Sequence, residues 1–458
     1  MCGKPPADHL GMRRNPSTRT HPPAKRAASK ARAGLAGLLV LLAAAAIPAG
    51  AAQADNDPKY SDSRLKKMVK AQLEDAGLTP KGVSSCKPKL GAKVMVCKWR
   101  AEGQFPGEVS YECAGKAKML VAKNKWKLDA CNNVVEPMVP LLDFPGPHPE
   151  FGYNEDWLFQ ADKLDDLAAG GGNVARTGLY WDAVEPVAQH NDLWGPFDAL
   201  YAEMRLQGIK PLWVLQAAPC WAQAGECKRG GHPSPDHYDE FADFAARVAQ
   251  RYPDSLGLEV WNEPNWALYW GGDPDPEAYG NMLSTVASAI HAAKPGMTVV
   301  SAGLSPHQST TSDAMAYEDF LRRVYATGGP QQADAIGAHA YPNRRYAEDY
   351  LGNIRVNLFR YKRVMGEFGD AAKPIWVTET GTSTTEDDGF NADQQADALA
   401  KMYTQFRRIE NIPVVIYHRF VDQPGHVKVN ERGFGVVEAN GGRKPAYCAV
   451  AAAREKPC

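Results

Sequence analysis

From residue 151 onward, short apolar runs alternate with longer amphipathic ones. The runs at 151–153, 173–179, 210–215, 256–261, 298–302, 335–339, 375–378 and 413–417 have the length and β-branched character of buried strands. Between them, segments 155–169, 196–207, 236–250, 276–293, 314–326, 347–368 and 392–409 carry helical periodicity, and 445–453 closes the series. Strands that are apolar on both faces and separated by crossover helices make a parallel sheet. Eight such units in about 300 residues fit a (β/α)₈ barrel, an α/β fold of the TIM type. The alternative is an open doubly wound sheet, but no G-x-G-x-x-G follows the first strand.

Upstream the pattern differs. Residues 64–76 have helical spacing through Leu65, Met68, Val69 and Leu73, with Gly77 as a stop, and 93–100, 109–113 and 119–128 read as strands. A module of this size buries little apolar surface, so Cys86, Cys97, Cys113 and Cys131 make sense as staples, with three possible pairings. Residues 55–131 are thus expected to form a small disulfide-rich α+β domain. Five prolines between 132 and 149 predict a linker or a strap laid over the next domain, and the barrel is expected to occupy 150–458.

Residues 1–54 are basic, then apolar from Gly34 to Ile47, then small, ending in Ala52-Gln53-Ala54, the layout of a secretory signal with an A-x-A cleavage site; an uncleaved anchor is the alternative. Cysteine usage agrees with export. Of nine cysteines only Cys2 falls in this leader, leaving an even eight, with Cys220–Cys227 and Cys448–Cys458 as the expected local bridges. The overall charge of −1 hides an asymmetry: 55–131 carries +7 and 132–458 carries −15. An acidic barrel argues against nucleic acid as a partner, and the basic module could contact an anionic cell-envelope polymer.

Two segments carry chemistry. Val260-Trp261-Asn262-Glu263-Pro264-Asn265 follows the fourth apolar run, and Ile375-Trp376-Val377-Thr378-Glu379-Thr380-Gly381 ends the seventh. A lone Glu at a strand end would mean little, but the flanking Trp, Asn and Pro make the first segment specific. The two glutamates are 116 positions apart. Three βα units fill that interval, so both carboxylates belong to one barrel mouth, where strand C-termini carry the chemistry. Glycosidic cleavage needs such a pair: one carboxyl protonates the leaving oxygen, and the other attacks the anomeric carbon or activates water. No H-E-x-x-H, P-loop or dinucleotide fingerprint is present, so no metal or cofactor is expected. Asp273-Pro274-Asp275-Pro276 reads as a turn and helix start.

W-N-E-P-N on strand four with E-T-G on strand seven resembles the large clan of retaining (β/α)₈ glycoside hydrolases, family 39 and cellulase-type family 5 in particular. The resemblance spans residues 151–453 and excludes 55–131. It implies that Glu263 is the general acid/base, Glu379 the nucleophile, and that Asn262 bonds the sugar 2-hydroxyl. It also implies that Arg176, a charge inside strand two, supports the nucleophile, and that His339 and Tyr341 at the end of strand six belong to the site. Among aromatic residues after strands two to four, Trp181 is the preferred sugar-stacking platform. The clan's Trp on strand eight is missing; Tyr417, His418 or Phe420 could stand in. The expectation is a secreted retaining glycosidase acting on a polysaccharide or oligosaccharide. The alternative is a non-catalytic carbohydrate-binding or envelope-interaction protein on the same fold.

Overall fold

The structure is a computed structural model describing residues 61–458, apart from 76–78, 90–93, 105–109, 121–124, 129–132, 136–137, 189–191, 343–349 and 386–389. The leader-like segment 1–54 lies outside the described residues, as does any pairing of Cys131.

The N-terminal sheet is antiparallel. Helix α1 (Asp62–Asp75) precedes β1 (Thr79–Val83), β2 (Lys87–Lys89), β3 (Val94–Gln104), β4 (Ser110–Leu120), β5 (Lys125–Leu128) and β6 (Asn133–Val135). The sheet runs β1-β3-β4-β5, with β2 on β3 and β6 on β4. Pairing of β6 carries the sheet to residue 135, past the boundary expected at 131. Leu65, Val69 and Leu73 recur every four residues on one face of α1 and meet Met95, Trp99 and Met119 in a small core. A Cys86–Cys97 disulfide staples that core.

The chain then crosses to the barrel as a strap. Pro-rich residues 138–149 form no strand, and Val139, Leu142 and Gly146 donate backbone N–H groups to Arg355, Arg408 and Arg407 carbonyls (3.2, 2.7 and 2.7 Å).

Eight parallel strands make the barrel: β7 (Glu150–Asn154), β8 (Val174–Tyr180), β9 (Lys210–Gln216), β10 (Gly257–Val260), β11 (Val299–Ser301), β12 (Ile336–His339), β13 (Ile375–Thr380) and β14 (Val414–His418). They are barrel strands one to eight. Their order is β11-β10-β9-β8-β7-β14-β13-β12, and parallel bridges from Val300 to Ala335 and Leu304 to Ala338 join the two ends. The helices are α2 (Leu164–Ala169), α3 (Trp181–Val184), α4 (Gly195–Leu206), α5 (Tyr238–Arg251), α6 (Ala267–Trp270), α7 (Pro276–Ala293), α8 (Tyr317–Ala326), α9 (Gly329–Gln332), α10 (Tyr350–Glu367), α11 (Ala392–Phe406) and α12 (Pro445–Ala453). Local chemistry sets several starts. Asp275 caps α7 by accepting from Ala278 N, with Pro276 at the first turn, and Asn391 and Gln394 form a reciprocal capping box on α11.

One expected helix is largely replaced. Residues 155–169 were expected to form a single helix, but only a short 3₁₀ turn (Ala161–Lys163) and α2 appear. Glu155 is buried instead, its carboxylate taking Arg419 Nη2 and the Val421 N–H, so the chain there serves the barrel rather than a helix. In the barrel interior, Val174, Leu212, Val300, Ala335, Trp376, Val414 and Ile416 form an apolar plug. Gly257 leaves the room: a Cβ there would lie 3.2 Å from the Trp376 ring.

Two local distortions aim the glutamates. On β13 the register slips, Ala338 pairing with Val377 but His339 with Glu379. Strand neighbours normally face opposite ways, so the extra residue lets Thr378 and Glu379 both reach the barrel interior. At the end of β10, Trp261 and Glu263 have positive φ, +74° and +44°, a conformation that costs a non-glycine residue about 1–2 kcal/mol. Pro264 disfavours the right-handed helical region for Glu263, and Glu263 N donates to Gly303 O at 3.0 Å.

Candidate active site

A cleft of about 630 Å³ opens over the C-terminal ends of the strands, with Glu263 and Glu379 on its floor. One carboxylate oxygen of each, together with a His339 ring nitrogen, lies within 4.8 Å of the other two. His339 Nδ1 is 2.8 Å from Glu263 Oε1 and 3.6 Å from Glu379 Oε2.

Arg176 organises the floor. The guanidinium, fully buried, donates from Nε to Glu259 Oε2 (2.7 Å), from Nη1 to Glu379 Oε1 (2.6 Å) and Asn154 Oδ1 (2.8 Å), and from Nη2 to Asn262 Oδ1 (2.9 Å). A charge buried this deeply is stable only with such partners. Glu259 is itself held by Thr378 Oγ1 (3.0 Å) and Gly303 N (2.9 Å). Tyr341 donates its hydroxyl to Glu379 Oε2 at 2.9 Å.

These contacts fix protonation. Burial alone would raise the Glu379 carboxyl, but His339 and Arg176, helped by the Tyr341 hydrogen bond, hold it well below the usual carboxylate range. Burial opposes charge on His339, yet the Glu379 carboxylate and the hydrogen bond to Glu263 outweigh it and raise its pKa. Glu263, His339 and Glu379 could in principle offer three ligand atoms to a cation. The Arg176 cation 2.6 Å from Glu379 and the direct His339–Glu263 bond already satisfy those atoms and disfavour a metal ion.

The structure brings Arg176, Asn262, Glu263, His339, Tyr341 and Glu379 together. Trp181 is a correction. It is fully buried beneath α5, against Trp221, Phe241 and Phe244, with its indole N–H on Glu185 (2.8 Å), so no sugar can stack on it. It starts the short helix α3, whose Trp181 and Val184 are both buried. Trp266 and Tyr269, after strand four, line the cleft instead, with Lys428 Nζ 4.5 Å from the Trp266 ring centroid. Their shelf is braced from behind. The Cys220–Cys227 disulfide closes the loop after strand three, Lys228 Nζ donates to Gly271 O (2.6 Å), and His232 stacks on Trp270 at 4.1 Å.

On strand eight, His418 lines the cleft, whereas Tyr417 and Phe420 are buried in the core. Asn154, Glu259 and Glu431 were not anticipated. Glu259 had a signal: it is a charge between Leu258 and Val260 inside an apolar strand, as Arg176 is inside strand two. Glu431 sits in a short 3₁₀ turn (Val429–Gly433) after strand eight, and nothing local marks it.

No protein-family model and no curated protein sequence matches the chain. Solved structures do match in fold. A family 39 glycoside hydrolase from Bacteroides cellulosilyticus WH2 shares 19% identity over 82% of both chains, with a TM-score of 0.52. A GH5_18 structure from Streptomyces cattleya, in complex with GlcNAc, shares 17% identity over 68% of this chain and 80% of its own, with a TM-score of 0.54. A GH39 β-xylosidase from Caulobacter crescentus shares 20% identity over 70% of this chain and 75% of its own, with a TM-score of 0.52. The fold is that of these glycoside hydrolases.

Proposed function

We propose that this protein is a secreted retaining glycoside hydrolase, with Glu263 as acid/base and Glu379 as nucleophile. One observation carries the reading: two buried carboxylates, one just past strand four and one on strand seven, with one oxygen of each within 4.8 Å of the other, on the floor of a cleft edged by aromatic rings. Retention needs carboxyl groups about 5–5.5 Å apart, while inversion needs roughly 6.5–9.5 Å to admit a water between them. The separation here supports retention. Likeness to a β-xylosidase fold supports a β-linked substrate. Disulfides at Cys86–Cys97, Cys220–Cys227 and Cys448–Cys458 support an oxidising, extracellular setting.

The mechanism follows from the contacts. Arg176 and Tyr341 keep Glu379 ionised and aimed. Glu263 donates a proton to the glycosidic oxygen as Glu379 attacks the anomeric carbon, which gives a covalent glycosyl-enzyme and frees the leaving alcohol. Attack consumes the negative charge on Glu379. Glu263, now ionised, takes a proton from water as the water displaces Glu379 and restores it. Asn262 Oδ1 is held by Arg176, so its NH₂ is left to donate to a sugar hydroxyl.

A panel of β-linked glycans with product analysis tests the reading. Glu379→Ala is expected to lose about 10⁴-fold or more in kcat, as removal of a covalent nucleophile does elsewhere. Azide should then restore part of the activity and give a glycosyl azide of inverted configuration. Wild-type turnover in Glu379→Ala would overturn the assignment.

A further inference from the structure

Strand eight ends on an imidazole whose two nitrogens are both engaged. His418 Nδ1 lies 3.1 Å from Asn154 Nδ2, and His418 Nε2 lies 2.9 Å from Glu431 Oε2. The direction of these bonds is dictated from the other end. The Arg176 guanidinium can only donate, so the Asn154 atom facing it at 2.8 Å must be the carbonyl oxygen. The Asn154 NH₂ is thereby turned on His418 Nδ1, which must accept and so carries no proton. The proton of the neutral ring is on Nε2 and goes to the Glu431 carboxylate. One cation thus fixes an amide orientation and a tautomer, through Glu379, Arg176, Asn154, His418 and Glu431 in turn.

We propose that His418 and Glu431 are positioning residues for the nucleophile: Glu431 holds His418 in its Nε2–H form, and His418 holds Asn154 and with it the Arg176 fork that aims Glu379. The proposal rests on the glycosidase reading for its kinetic arm only. A second proton on Nδ1 would set two donors against each other at the Asn154 contact. The groups facing His418 are Glu431 from the loop after strand eight, Asn154 from strand one, Tyr341 and Phe434 as ring neighbours, and Glu379, whose charge acts on it; Arg419 follows it in sequence.

Two measurements on the full chain test this. Imidazole ¹⁵N spectra of the histidine-labelled protein, assigned by the loss of one signal in His418→Phe, should show His418 protonated at Nε2 and bare at Nδ1 near neutral pH. A His418 signal protonated at Nδ1 there would overturn the relay, whatever the activity. In kinetics, His418→Phe keeps a ring and deletes both nitrogens; it is expected to lose about 10–100-fold in kcat, as loss of an orienting partner typically does, with a much smaller change in KM. Glu431→Gln still accepts the Nε2 proton and should lose less, with the Nε2–H signal of His418 retained. A purely structural role would not separate the two variants, so a loss in Glu431→Gln as large as in His418→Phe, or wild-type kcat in His418→Phe, overturns the proposal. If the Nε2–H tautomer is found while the wild-type protein cleaves no glycan, the tautomer supports the relay and the glycosidase reading fails on its own.

Discussion

The barrel interior has two layers built from the same strands. Val174, Trp376 and Ile416 belong to the apolar plug, while Arg176, Thr378 and His418, two residues further along, belong to the polar floor of the cleft. Residues two apart on a strand share a face, so a rise of roughly 7 Å separates a dry core from a charged one. The lower layer is held by apolar contact, and no single partner decides it. The upper layer is held by hydrogen bonds that each have a direction, so removing one group strands its partner in a buried place. The difference separates stability from chemistry within one pair of layers, and it can be broken experimentally.

The largest effect is expected at Arg176. Arg176→Met leaves Glu259 buried and unpaired, a loss of roughly 3–5 kcal/mol in stability, and removes a donor to Glu379, about 10²–10³-fold in kcat. Thermal unfolding and kinetics measure the two separately. Adding Glu259→Met should recover stability without recovering turnover; recovery of both would erase the distinction between the layers. Next comes the plug. Trp376→Ala should destabilise by about 3–5 kcal/mol, measured by denaturant unfolding, with kcat/KM of the folded fraction nearly unchanged. A smaller effect belongs to the shelf: Trp266→Ala should raise KM roughly 2- to 10-fold, the worth of one aromatic contact. Trp181→Leu should instead lower the unfolding midpoint and leave KM alone.

The smallest effect is in acid. The Glu379 pKa is depressed by folding, so the stability it contributes is complete above its ordinary value of 4.5 and is lost as pH falls through its lower folded value. Unfolding free energy followed below pH 4.5 should therefore fall more steeply in the wild-type protein than in Glu379→Gln. Equal slopes would mean that Arg176 and His339 do not hold the carboxylate ionised.

Much of this was legible in the sequence because period and punctuation are local. Strand and helix bounds followed apolar runs, caps and prolines, and α7 and α12 begin and end where the pattern places them. Arg176, Glu263 and Glu379 were legible because each breaks an apolar run or sits in a specific context. Trp181 was misread because an aromatic after a strand serves a shelf or a core equally well, and only the packing of the distant Phe241 and Phe244 over it decides. The contact of His418 with Glu431 was not legible: it depends on a side chain thirteen positions on, in a short 3₁₀ turn (Val429–Gly433) that no apolar pattern marks.

The disulfide-closed loop behind Trp266 and Tyr269 has a consequence in time. A wall pinned by a covalent bond, by Lys228 on Gly271 and by a ring stacked on Trp270 loses its conformational freedom once, when the chain folds. It need not be ordered again at each encounter with a ligand. On that side the groove is ready before its ligand arrives, so capture there is limited by diffusion and orientation, with no wait for a loop to settle.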